Sequence, residues 1–202
     1  MNEILSLDAG VYSEKEWHKV PSDVRLEDAA TATINPATAL SMLENFETLQ
    51  PGDVVVQNGA NSAVGKHVIQ LCKHMGVKTV NVVRARPDMG PLEEHLKDLG
   101  ADLVVTPETV REQARAKGWS APKLALNCVG GEVATTMSKM LMPGGTIVTY
   151  GGMSMQPVSI PTPVLIFKNI KVCGYALFCM GALLMPACIF APVSWRVFIV
   201  AR

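Results

Sequence analysis

Residues 53–65 read Asp-Val-Val-Val-Gln-Asn-Gly-Ala-Asn-Ser-Ala-Val-Gly, and Lys-His-Val-Ile-Gln-Leu-Cys-Lys-His-Met-Gly follows to position 76. Asp53–Asn58 is a short β-branched run behind the turn signal Pro51-Gly52, which predicts a buried strand. From Ala63 to Met75 the apolar residues Val64, Val68, Ile69, Leu71 and Cys72 recur at helical spacing, and Gly76 stops them. A strand that passes through a turn of small residues into a helix is where a dinucleotide-binding fold offers free helix N–H groups to a pyrophosphate. Read as GxGxxG ending at Gly65, the turn has Ala60 and Ser62 in the first two glycine positions. Small side chains still let a backbone approach, but a tight strand-to-helix turn without ligand has the same pattern.

The alternation continues on the carboxyl side. Val77–Val83 reads as a second strand, and Leu92–Leu99 as a charged amphipathic helix closed by Gly100. Asp102–Thr106 is a third strand and Lys123–Cys128 a fourth, ended by Gly130-Gly131. Val133–Leu141 is a helix closed by Pro143-Gly144-Gly145, Thr146–Tyr150 a fifth strand, and Asn169–Tyr175 a candidate sixth. Strands alternating with helices imply right-handed crossovers and a parallel sheet covered on both faces, an α/β doubly wound (Rossmann-type) fold. Residues 20–50 are helical in pattern, with Pro36 as an internal break, and lead into the first strand.

Composition removes several function classes. The 202 residues carry 18 basic and 18 acidic side chains, so no net charge is available to an electrostatic nucleic-acid binder. An apolar share of 49% excludes a disordered chain. Cys72, Cys128, Cys173, Cys179 and Cys188 form no CxxC pair, which argues against a disulfide framework or zinc knuckle and for a reducing compartment. Cys72 reads as a core residue and Cys128 as a strand residue. His18, His67, His74 and His95 show no metal-ligand spacing and read as exposed helix or loop residues. The N-terminal stretch shows no cleavable targeting signal. From Tyr175 to Val193 there is no charge, about the length of a membrane span, but Gly181, Pro186 and Pro192 weaken it. Tail 176–202 therefore stands apart from the α/β pattern.

Two further stretches bear on ligand chemistry. A NAD site places an acid at the end of the second strand for the ribose 2′-hydroxyl. Here Arg84-Ala85-Arg86-Pro87 stands there, and two guanidiniums suit a 2′-phosphate through charge-assisted bonds. Solvated loop arginines, with Asp88 as a displaced acid, is the competing reading. Tyr150-Gly151-Gly152-Met153 follows the fifth strand at the carboxyl edge, where bare glycines let a nicotinamide ring lie on backbone or simply end a strand.

The stretches VPSD (20–23), AATATINPATAL (29–40), VVRARPD (82–88), LALNCVGG (124–131), GGTIVTYGGMSMQPV (144–158) and LIFKNIKVCGY (165–175), with the turn quoted above, occur in order. Together they resemble the NADPH-dependent medium-chain dehydrogenase/reductase superfamily and, within it, the mitochondrial 2-enoyl thioester reductases. The resemblance runs from about residue 10 to 175. It implies a zinc-free reduction of the 2,3 double bond of a 2-enoyl-CoA or enoyl-acyl-carrier-protein and a mitochondrial location, with the cytosol as the alternative because no transit peptide is visible; a second copy of the chain is a further candidate partner. It assigns cofactor contacts to Asn35, Asn61, Ser62, Ala63 and Val64, the adenosine phosphate side to Arg84, Ala85 and Arg86, and the nicotinamide side to Tyr150, Gly151, Gly152 and Met153, with Tyr175 after them. Ala63 replaces a glycine common in the family. The family's catalytic domain precedes the matched stretch, so no catalytic residue is carried over. The resemblance implies a division into 1–50 (remnant of that domain and connecting helices), 51–175 (dinucleotide-binding domain) and 176–202 (unrelated apolar tail). An NADPH-holding module or pairing partner of a complete reductase is the alternative to an enzyme.

Overall fold

The computed structural model describes residues 21–177. Two helices come first, α1 (Leu26–Thr31) and α2 (Asn35–Asn45). Then β1 (Val54–Asn58), α3 (Ala63–Met75), β2 (Lys78–Val82), α4 (Met89–Leu99) and β3 (Leu103–Val105) form one half of the fold. The other half follows as α5 (Val110–Ala116), β4 (Leu124–Asn127), α6 (Gly131–Met140), β5 (Thr146–Thr149), α7 (Thr162–Lys168) and β6 (Lys171–Gly174).

The strands lie in the order β3-β2-β1-β4-β5-β6, every neighbouring pair parallel. This is the doubly wound order in which the chain reverses direction of winding between β1 and β4, leaving a crevice above their carboxyl ends. Side-chain alternation assigns the two faces. Val55 points into a cluster with Ala39, Met42 and Leu43 of α2 and Val68, Leu71 and Cys72 of α3. Val54 and Val56 point the other way, to Val110 of α5 and Met137 of α6. Ile69 of α3, Leu96 of α4 and Val104 of β3 complete the first face. Strands buried on both sides need apolar residues at every position, which explains the unbroken Val54-Val55-Val56 run.

Three local expectations are corrected. Helices α5 and α7 lie where the sequence shows no helical stripe, because each buries one residue only, Val110 and Val164. Pro36 does not interrupt a helix. It occupies the first turn of α2, where its missing N–H costs nothing, and the break falls before Asn35. Helix α4 starts at Met89 rather than Leu92, carrying Pro91 in its first turn. Of the histidines, His74 is exposed, but His67 and His95 are half-buried, and burial together with neighbouring Lys66 lowers the pKa of His67. Cys72 is core, as expected, and its thiol pKa is pushed far up by burial. The expectations about the N-terminal stretch, His18 and the tail beyond 177 lie outside the described residues. Among the described residues no helix is long and apolar enough to cross a membrane.

Candidate functional site

The site is built around the turn that joins β1 to α3. Gly59 adopts φ +59°, and a Cβ there would lie 2.5 Å from the Cys128 Sγ, so only glycine fits. Ala60 is fully buried, and Ser62 N–H closes the turn onto Gly59 O at 2.8 Å. Ser62 is the N-cap of α3, its hydroxyl accepting from Gly65 N–H at 3.1 Å. Gly65 sits so tightly that a Cβ would approach Ala60 O at 2.6 Å, the close helix-strand packing required of the last glycine of the fingerprint. Gln57 Nε2 donates to Gly65 O at 3.0 Å and to Asn81 Oδ1 at 2.8 Å, tying the first turn of α3 to β2. The result is a 13-residue helix whose N-terminus opens at the carboxyl edge of the sheet.

Across the crevice, buried amides link three strand ends. Asn58 Nδ2 donates to Asn127 Oδ1 at 2.7 Å, and Asn127 Nδ2 donates to Thr149 Oγ1 at 3.1 Å. Cys128 N–H returns a bond to Asn58 Oδ1 at 2.8 Å. Asn127 Oδ1 also accepts from Gly130 N–H at 3.0 Å, so it shapes the loop after β4. That loop is laced to the one after β5: Met153 N–H donates to Cys128 O, and Ser154 N–H to Val129 O, each at 2.9 Å. Gly151 is pressed against Cys128, with 3.2 Å between its virtual Cβ and the Cys128 Cβ.

The sequence-derived site residues fall into three groups. Asn61, Ser62 and Val64 are half-buried and Ala63 exposed in the turn, and Tyr150, Gly151, Gly152 and Met153 follow β5 on the far side of the crevice. The Tyr150 hydroxyl is buried near Ser62 and Cys128, and no described residue gives it a properly aligned hydrogen bond. Burial above all, with Cys128 beside it, raises its pKa, and burial likewise raises that of the Cys128 thiol, so both are neutral near pH 7. Arg84 and Ala85 are exposed and Arg86 half-buried just past β2, and among the described residues neither guanidinium has an ion pair or hydrogen bond. Asp88 is the N-cap residue of α4 without capping it. Asn35 opens α2 and is half-buried. Tyr175 stands apart from the crevice surface: it is buried after β6, its ring edge-on to Phe46 at 6.0 Å.

Gly59, Asn58 and Asn127 escape a reading based on the glycine fingerprint. The signal for the two amides is a fully polar side chain inside the apolar runs Val54–Asn58 and Leu124–Asn127, because a buried amide must find partners.

A dinucleotide fits these observations. Among the described residues, two guanidiniums without a partner stand one strand away from the α3 N-terminus, and the buried Tyr150 hydroxyl lacks an aligned hydrogen bond. Among the described residues no group of three or more His, Cys, Asp or Glu side chains is placed to hold a metal ion.

The chain is similar over 183 residues to the mitochondrial enoyl-[acyl-carrier-protein] reductase of Xenopus tropicalis, with 48% identity covering 85% of this chain and 52% of the relative. It thus spans about half the length of the curated relative. The structure of Etr1p with NADP and crotonyl-CoA superposes with a TM-score of 0.78 and 36% identity over 87% of this chain and 51% of that one. The mitochondrial 2-enoyl thioester reductase Etr1p/Etr2p heterodimer of Candida tropicalis gives a TM-score of 0.77 and 36% identity, over 88% and 52%. A family model described as zinc-binding dehydrogenase matches residues 63–183, from the first residue of α3 onward. That match, over more than half of the sequence and on the strand order described above, means that the chain belongs to the zinc-binding dehydrogenase family of medium-chain dehydrogenases/reductases.

Proposed function

We propose that the chain is the NADPH-binding part of a mitochondrial 2-enoyl thioester reductase acting on enoyl-CoA or enoyl-acyl-carrier-protein. The observation that carries this reading is the pairing of an open, Ser62-capped helix N-terminus with two unpaired arginines at the end of the adjacent strand. NADPH, when bound, supplies the hydride that reduces the conjugated double bond of the thioester. The chain's own residues hold it. Asn61, Ala63 and Val64 offer backbone N–H groups to the pyrophosphate, aided by the positive end of α3, and Ser62, its own N–H bonded to Gly59 O, holds the turn in shape. Arg84 and Arg86, with Ala85 between them, take the 2′-phosphate, and Tyr150, Gly151, Gly152 and Met153 face the nicotinamide half. Asn35 and Tyr175 support this side from α2 and from the end of β6. A neutral Tyr150 hydroxyl donates a hydrogen bond rather than repelling the phosphates. No catalytic residue is assigned to the chain. A second copy is the partner we assign to the edge of β6, which no other described strand pairs and where Val172 is exposed.

Holding NADPH without turnover is the second reading, since every site residue named above serves the cofactor. Binding tests the first step. Each charge-assisted phosphate contact is worth roughly 1.5–3 kcal/mol, or about ten- to a hundredfold in affinity. The chain is expected to prefer NADPH to NADH, and Arg84→Ala with Arg86→Ala to abolish the preference while leaving NADH binding unchanged. An unchanged NADPH-to-NADH ratio would overturn the assignment. Steady NADPH oxidation with crotonyl-CoA, proportional to protein, would choose the enzyme over the module.

A further inference from the structure

We propose that the amino edge of the sheet carries a second site, a pocket for a small molecule bearing two or more phosphate charges. A cavity of about 270 Å³ opens there, with its floor at the start of β1 and the middle of β2. Its walls bring together Arg111 and Arg115 of α5, Lys139 of α6 and Lys168 at the end of α7, with Trp119 beside them and no carboxylate. Lys78 and Lys117 stand 5.2 and 5.7 Å from the Trp119 ring centre. Four of the 18 basic residues of a chain without net charge therefore line one pocket, and two more stand near the ring of its Trp119.

Their arrangement is costly without an anion. Arg111 and Arg115 are one helical turn apart, and like charges at that spacing repel by several tenths of a kcal/mol. Among the described residues Arg111, Arg115 and Lys139 have no ion pair or side-chain hydrogen bond. The Lys168 ammonium, by contrast, is fixed: it donates to Lys139 O and Leu141 O, both at 2.7 Å, keeping one N–H free. A held ammonium with two guanidinium forks matches the tetrahedral oxygens of phosphate, which arginine binds in pairs. The volume lies just under the usual range for ligand pockets, roughly 300–1,000 Å³, so it admits a phosphate ester or a pyrophosphate and not a dinucleotide. The crevice between Asn58 and Asn127 is at the opposite end of strands roughly 16 Å long, so the two sites fill independently.

Calorimetric titration of the full chain with inorganic pyrophosphate at low salt, with and without saturating NADPH, tests this. We expect a saturable site that persists with saturating NADPH and, measured in its presence, is at least tenfold weaker in Arg111→Gln/Arg115→Gln. Lys139→Gln, on the opposite wall, gives the same direction of change if the double variant fails to fold. Absence of saturable binding, indifference to both wall variants, or displacement by NADPH would each overturn the proposal. In the last case pyrophosphate sits at the α3 turn.

Discussion

The side-chain oxygen of Asn127 accepts from Asn58 Nδ2 at 2.7 Å, Gly130 N–H at 3.0 Å and Val129 N–H at 3.3 Å. Truncation to alanine strands these donors in a fully buried place, and each unmet buried donor costs about 1–3 kcal/mol. Asn127→Ala is therefore expected to lower the unfolding free energy by roughly 2–4 kcal/mol, read as a lower urea midpoint at unchanged slope. A loss under 1 kcal/mol would mean that water replaces the amide. At this scale the sequence is legible in one direction only. Arg84 and Arg86 announce themselves because a charge pair occupies a place usually held by an acid. Asn58 and Asn127 register as polar residues inside apolar strands, but their pairing across 69 positions is set by which strands become neighbours.

The turn between β1 and α3 is the element on which the site depends. Its first residue is Gly59, outside the fingerprint glycine positions, and the reason is spatial: the sulfur of Cys128, which lies just past β4 and not in the strand as expected, fills the volume a Cβ would take. Gly59→Ala should lose about 1–2 kcal/mol for the left-handed backbone alone, with a steric cost added. Adding Cys128→Ala removes the obstructing atom, so the double variant should be less destabilised than the sum of the singles by at least 0.5 kcal/mol. Strict additivity in chemical denaturation would show that backbone strain is the whole effect. Elements with a periodic stripe, such as α3, were readable to the residue: Ala63–Met75 coincides with the expected span. Helices α5 and α7 were not, since a helix that buries one side chain has no period to detect.

At the level of the molecule, strand-helix alternation gives the class directly, but the strand order comes from the rule that each half winds away from its first strand. That order leaves β6 as an edge, and beside it α7 exposes Ile166 and Phe167, a surface that monomers usually avoid. Sedimentation should show a dimer, and Val172→Lys, which puts a charge on the edge, should shift it to monomer; a wild-type monomer at tens of micromolar would remove the partner assignment. The amide chain from Asn58 through Asn127 to Thr149 has a consequence at this scale too. It acts as a strut of fixed length between the two halves of the sheet, so the crevice has its width before any ligand arrives. Binding then spends little on reorganisation, and a dinucleotide meets a slot already cut to size.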